Sequence, residues 1–263
     1  MSRIVVITGA SSGIGNSTAE YFLSKGDVVY GLSRRILGKS FAELRCDITN
    51  EEEVLDCVKQ IINKEGRIDV LINNAGMGIS GPVETTKLQD AKKIFDVNFF
   101  GCINVINAVL PYMRKEKRGT IINISSVASP ISIPFQSFYS ASKAAVDSLT
   151  FALRAEVADF NIKVCSVLPG DTKTGFTSSR EKQDVLNAGV YAEKMQRSVS
   201  QMEKDEQNGM DSESVSKVVY KMSKKKNPPV YVTVGFQYKC LVFLSKILPK
   251  TLVNRIVKGL YAK

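Results

Sequence analysis

Short β-branched runs alternate with longer amphipathic stretches through the first half of the chain. Such alternation predicts a parallel sheet covered by helices on both faces. RIVVIT, DVVYGLS and a short run within FAELRCDIT read as the first three strands, and NSTAEYFLSKG as a helix that ends at Gly26. EEEVLDCVKQIINKEG reads as a helix entered from Asn50, with its carboxylates in the first turn, where the helix dipole favours them. RIDVLINNAG is the fourth strand, a long helix spans roughly Leu88 to Arg114, GTIINISS is the fifth strand, and NIKVCSVLPG is the sixth. Right-handed crossovers order these into an α/β, doubly wound parallel sheet. From Asp171 to about Gly209 the regularity fails, apart from one short candidate helix. PPVYVTVG then supplies a last strand, and two short apolar helices close the chain. No composition break divides the 263 residues, so one domain over 1–263 is expected.

Two stretches carry candidate chemistry. Directly after the first strand stands TGASSGIG, Thr8 to Gly15, with Gly9, Gly13 and Gly15 around Ser11, Ser12 and Ile14. Between a strand and a helix, such glycines permit a tight turn, let backbone amides approach a ligand and seat a pyrophosphate at the helix N-terminus. The spacing is GxxxGxG rather than GxGxxG, so this turn is read as a dinucleotide site on its position as much as its letters. The second stretch, FYSASKAAV, places Tyr139 and Lys143 four residues apart in an Ala- and Ser-rich segment that reads as helical. A fixed ammonium within a few ångströms favours phenolate and moves a phenol from about 10 toward working pH, which makes the pair a proton donor and acceptor. Taken alone, a tyrosine packed on a neighbour beside a solvated lysine fits the same spacing.

Composition narrows the chemistry. The chain has no histidine, which excludes Ser-His-Asp triads, histidine bases and imidazole metal ligands. Five scattered cysteines, never in a CxxC spacing, suggest neither a disulfide framework nor a zinc site. The apolar run in MSRIVVITGA is too short for a signal peptide, so an intracellular, cytoplasmic location is expected. The net charge of +10 is concentrated in KMSKKKNPP and the C-terminal stretch, and no basic-aromatic motif accompanies it; solvated surface charge is preferred over nucleic-acid binding.

Seven motifs recur in order along nearly the whole chain: TGASSGIG, Asp47 in CDIT, NNAG at 73–76, Asn98 in VNFFG, ISS ending at Ser126, YSASK at 139–143, and PGDTKT at 169–174. In this ordered set the chain resembles the short-chain dehydrogenase/reductase family. The resemblance implies a Rossmann-type single domain, a nicotinamide cofactor and no metal. It implies that Tyr139 exchanges a proton with the substrate oxygen, Ser126 holds that oxygen, Lys143 lowers the phenol's pKa and grips the ribose, and Asn98 supports a proton-relaying water. Ser125 is the rival serine; Ser126 is preferred for its thirteen-residue lead over Tyr139. By the same resemblance Asp47, with Ile48 beside it, bonds the adenine edge, although a turn-capping aspartate is the plain alternative. Asn74, Ala75 and Gly76 leave the fourth strand toward the cofactor, and Pro169, Gly170, Thr172 and Thr174 stand on its nicotinamide and pyrophosphate side. At the end of the second strand Ser33 replaces the acid that would bond a ribose 2′-hydroxyl, and Arg34 and Arg35 follow, which predicts NADP(H), with Arg34 the stronger candidate and Ser11 a helper.

The expected function is therefore NADP(H)-dependent interconversion of a carbonyl and a secondary alcohol on an apolar, lipid- or steroid-like small molecule. Resemblance to hydroxysteroid dehydrogenase-like and acyl-dihydroxyacetone-phosphate-reductase-like members supports the lipid character. An acyl-carrier-protein ketoreductase and a non-catalytic NADP(H) sensor are the alternatives. Residues 171–209 are expected to form a substrate lid. The tail from Gly235 to Lys263 reads as two amphipathic helices joined at Pro249, too short to cross a bilayer. Two readings stand for it: packing on the pocket and a partner subunit, the commoner fate, or peripheral contact with an anionic membrane. A homodimer or homotetramer is expected, and the apolar face of the Tyr139 helix suits either an interface or the core.

Overall fold

Seven parallel strands build one sheet: β1 (Ile4–Thr8), β2 (Val28–Ser33), β3 (Ala42–Arg45), β4 (Val70–Asn73), β5 (Gly119–Ile124), β6 (Ile162–Leu168) and β7 (Tyr231–Thr233). Their order across the sheet is β7-β6-β5-β4-β1-β2-β3, every neighbour parallel. The computed structural model describes residues 2–262; Met1 and Lys263, the outermost residues of the expected domain and tail, lie outside the described residues. β1 is buried along its whole length, as a strand covered on both faces must be. Alternate side chains divide between two cores. Val5 and Ile7 join a core with Ala19 and Phe22 of α1 (Gly13–Ser24), whereas Ile4 and Val6 join one with Val54, Val58 and Ile61 of α2 (Glu51–Glu65). Asn50 caps α2 by accepting from the backbone N–H of Glu52 and Glu53, and Gly66, at φ 74°, ends it in the left-handed region.

The expected long helix is interrupted. α3 (Leu88–Phe95) passes through a π-helical turn, Asp96–Phe100, before α4 (Gly101–Lys115). Leu88–Lys115 is long and apolar enough by composition to cross a membrane, but Val105, Ile106, Val109 and Met113 are buried in the core, which accounts for that composition. α5 (Ser137–Glu156) packs on β6 and carries Tyr139 and Lys143.

The 171–209 segment is more regular than its sequence suggests. A one-turn helix, α6 (Phe176–Ser179), leads through a 3-10 stretch at Val185–Tyr191 into α7 (Ala192–Gln207), a helix of 16 residues. Sparse apolar content hides α7 in the sequence: Met195, Val199 and Met202 form its buried stripe in an otherwise polar run. With Ala188 they make a third, small core that receives Ile133, Phe135, Ala192 and Tyr261. α8 (Ser212–Lys224) returns to the main body against α1, and α9 (Phe236–Ile247) and α10 (Lys250–Tyr261) end the chain.

Candidate active site

The sheet order reverses beside β1, and a crevice is expected at the carboxyl ends of strands where that happens. A cavity of about 1360 Å³ lies there. Of the residues singled out from the sequence, all but Gly15 and Asn98 line it. Those two act from behind the wall. A side chain at Gly15 would collide with the Gly9 carbonyl oxygen and the Asn74 amide, so only glycine lets α1 close on the turn. Gly9, at φ 66°, is equally confined, since a Cβ there would stand 2.8 Å from Ala75 Cα.

A dinucleotide fits this half of the cavity. Ser12 stands at the N-cap of α1 without a side-chain capping bond, and the first turn holds no acidic residue, so the amides and the positive end of the dipole are left for an anion. Thr174 covers the turn from the other side, its Cβ 3.4 Å from where a Gly13 Cβ would stand. Its hydroxyl accepts from Phe176 N at 3.2 Å, while Thr172 donates to Gly170 O at 2.8 Å. Asn74 is occupied structurally: its amide donates to Thr8 O at 3.0 Å, and its own N–H bonds the Thr8 hydroxyl. Asp47 caps its turn, accepting from the backbone and hydroxyl of Thr49, and lines the cavity beside buried Ile48. Arg34 and Arg35 are exposed at the cavity edge, and Ser33 donates to Arg35 O at 2.7 Å.

The catalytic candidates converge from three elements. Asn98, buried on the π-helical turn, accepts from Met77 N at 2.8 Å and donates to Met77 O and to the Ser142 hydroxyl, each at 3.0 Å. It clamps the segment after β4 to α5. Ser125 donates to Lys143 O at 3.3 Å, whereas the Ser126 hydroxyl stands beside the phenol of Tyr139. Lys143, buried below Gly76, donates from Nζ to Ile124 O at 2.9 Å and lies 5.9 Å from the Tyr139 ring centre.

The electrostatics depart from the expectation for the pair. Burial pushes Tyr139 up to about 12; the Ser126 hydrogen bond and the Arg180 charge oppose this, and the charges of Glu206 and Asp171 add to it. Burial brings Lys143 down to about 8. In this state the lysine does not acidify the phenol. At neutral pH the phenol therefore keeps its proton, the state in which it can donate one.

The family model for short chain dehydrogenase matches residues 3–185. The chain belongs to that family. It is 44% identical over 265 residues to a 3-ketodihydrosphingosine reductase of Bacteroides thetaiotaomicron, covering 99% of this chain and 98% of that protein. It is 33% identical to dehydrogenase/reductase SDR family member 7B of Xenopus laevis, over 94% of this chain and 79% of that one. A solved short-chain dehydrogenase from Streptomyces avermitilis superposes with a TM-score of 0.85 at 28% identity, each chain covered to 98%. This short-chain dehydrogenase is thus an oxidoreductase that uses a nicotinamide cofactor, which supplies or takes a hydride when bound.

Its substrate half is where sequence reasoning missed most. Gln136, Phe176 and Glu206 line the cavity near Tyr139, and the Phe176 ring centre is 5.8 Å from that of Tyr139. Behind them Arg180 is fully buried in an ion pair with Glu206, its Nη1 without a partner among the described residues, and the Gln136 amide oxygen accepts from Nε and Nη2 at 3.2 Å. Thr177 donates to Glu206 at 2.7 Å. Asp171 accepts from the Tyr238 hydroxyl at 2.6 Å, and burial raises its pKa. Nothing local marked these residues, because Arg180 and Glu206 meet across 26 positions.

Proposed function

We propose that this chain is an NADP(H)-dependent reductase of a long-chain lipid ketone bearing an amino group beside the carbonyl, the 3-keto sphingoid-base class. The observation that carries the substrate class is full-length similarity to a 3-ketodihydrosphingosine reductase. The cavity suits such a substrate: Asp171 and Glu206 line it, Glu206 already paired with Arg180 and Asp171 with no cation partner among the described residues, so an ammonium next to the reacting carbonyl would meet the Asp171 carboxylate. Tyr139 with its proton in place is the state that reduction uses. Hydride arrives at the carbonyl carbon; Tyr139 gives its phenolic proton to the oxygen while Ser126 donates a hydrogen bond to it, and Lys143 is the adjacent proton source. Preference for NADP(H) is supported by the cations at 34 and 35 and the absence of a carboxylate at Ser33.

The test is oxidation of NADPH with 3-ketodihydrosphingosine, set against the ketone of equal chain length without the amino group. The amino ketone is expected to have the higher kcat/KM by about tenfold or more, as for one charged hydrogen bond, and Asp171→Asn to erode that preference. Turnover of the plain ketone alone refutes the substrate class. Residues 171–209 act as the lid in this reading, opening where their small core meets Ile133, Phe135 and Tyr261; protection of the segment from proteolysis by cofactor plus ketone is the corresponding check. The outward face of α5, with Ala141, Ala144, Ser148 and exposed Phe151, is the surface for a second copy. A reducing intracellular compartment suits the five unpaired cysteines.

A further inference from the structure

The tail presents the opposite of what a self-contained helix pair presents. On α9 the side chains turned inward are Tyr238, Val242 and Ser245, at spacings of four and three. Those turned outward are Phe236, Cys240, Phe243, Leu244 and Ile247, a complete apolar stripe at helical spacing, with Phe243 62% and Ile247 63% exposed. α10 repeats the arrangement. Val257 is buried while Leu252, Ile256 and Leu260 point out, Leu260 being 63% exposed. Lys239, Lys246, Lys250, Arg255 and Lys258 lie among these stripes, and no aspartate or glutamate occurs between Gly235 and Ala262. Among the described residues none of the five cations forms an ion pair.

We propose that α9 and α10 are a seat for an anionic lipid surface, with the apolar stripes entering the headgroup–acyl boundary and the basic residues meeting lipid phosphates. Charge selects this occupant. A lipid bilayer containing anionic headgroups offers apolar depth and negative charge together, as an apolar stripe flanked by five cations requires. A second copy joined tail to tail would bring ten cations together with no carboxylate between them, and like-charge juxtaposition disfavours that interface. The helix also connects the surface to the chemistry. The inner face of α9 backs the cavity wall: the Tyr238 ring fills the space a side chain at Gly170 would take, and its hydroxyl donates to Asp171; Gly170 and Asp171 both line the cavity. Tyr261, at the end of α10, donates to Asp205, the neighbour of Glu206. One helix therefore packs its inner face on two cavity-lining residues and leaves its outer face for the lipid.

The full chain is mixed with vesicles of phosphatidylcholine alone or with phosphatidylglycerol added, and bound protein is read by flotation at low and high salt. Binding is expected with phosphatidylglycerol, weak on phosphatidylcholine alone, and reduced by salt. Phe243→Gln with Ile247→Gln is expected to weaken binding by about tenfold or more. Lys246→Gln with Arg255→Gln, which leaves the apolar stripe intact, is expected to reduce binding and its salt dependence. NADPH binding and reduction of a small soluble ketone stay unchanged in both variants, which shows that they fold. Absence of wild-type binding overturns the proposal, as does binding that survives both double substitutions. A dimer abolished by the same substitutions, with no vesicle binding, assigns the stripes to a second copy and overturns it too. Flotation is read without ketone, so its result is independent of the substrate assigned above.

Discussion

The cofactor side of the cavity and its substrate side are built by opposite means. The cofactor side is continuous with the two large cores and is shaped by backbone: Gly9 and Gly15 set how closely turn, helix and β4 approach, and the Thr8 hydroxyl accepts from two successive backbone N–H groups of the β4 turn. The substrate side is shaped by side chains that bridge distant segments, Arg180 to Glu206, Lys182 to Glu203, Tyr238 to Asp171, around a small core of its own. A site for one fixed cofactor gains from rigidity. A site that admits a bulky substrate gains from an element that opens at small free-energy cost, as segments with few buried apolar contacts do. The division explains how the family's cofactor apparatus stays recognisable in this chain while its substrate apparatus does not.

The largest effect expected is at the junction of the two sides. Tyr139→Phe removes the proton donor and should lower kcat by about 10²–10⁴-fold with NADPH binding intact; turnover near wild type would break the mechanism. Next, Arg34→Ala acts on the cofactor side alone. It should lower the kcat/KM ratio for NADPH over NADH by about tenfold or more, the value of one charged hydrogen bond, while the choice among ketones is unaltered. Gly170→Ala acts from the boundary, at a residue of the cofactor side that touches Tyr238 of the substrate side. The added methyl meets the Tyr238 ring, so α9 must shift, at a cost of about 1–3 kcal/mol in urea unfolding. If the two sides are separable, cofactor affinity changes less than KM for the lipid ketone.

The smallest effect is a pH dependence. Burial lowers Lys143 from its ordinary 10.5 to about 8, so between those values the unfolded chain binds more protons and the lysine's contribution to stability rises with pH. Compared with Lys143→Met, the wild type should gain stability from pH 8 to pH 10, measured as the difference in urea midpoints between the two. A difference that stays constant across that window would mean that the ammonium is not buried in the folded chain.

The sequence by itself determined the parts whose instructions are local. Strand runs, the glycine turn, the Asn50 cap and the Tyr139–Lys143 spacing each lie within a few residues, where steric and hydrogen-bonding rules act without reference to the rest of the chain. The NNAG and PGDTKT segments were legible because strand ends in a doubly wound sheet converge on one edge. Only tertiary structure decided the rest. The π-helical turn that aims Asn98 at Met77 and Ser142 departs from a pattern whose apolar periodicity reads as unbroken helix. α7 has too few apolar residues to announce itself, and what it buries is defined by Ile133, Phe135 and Tyr261, which arrive from both chain directions. Tyr139 shows the limit most plainly. Spacing placed the lysine near the phenol, but desolvation, a property of everything packed around the ring, outweighed that neighbour and left the proton in place.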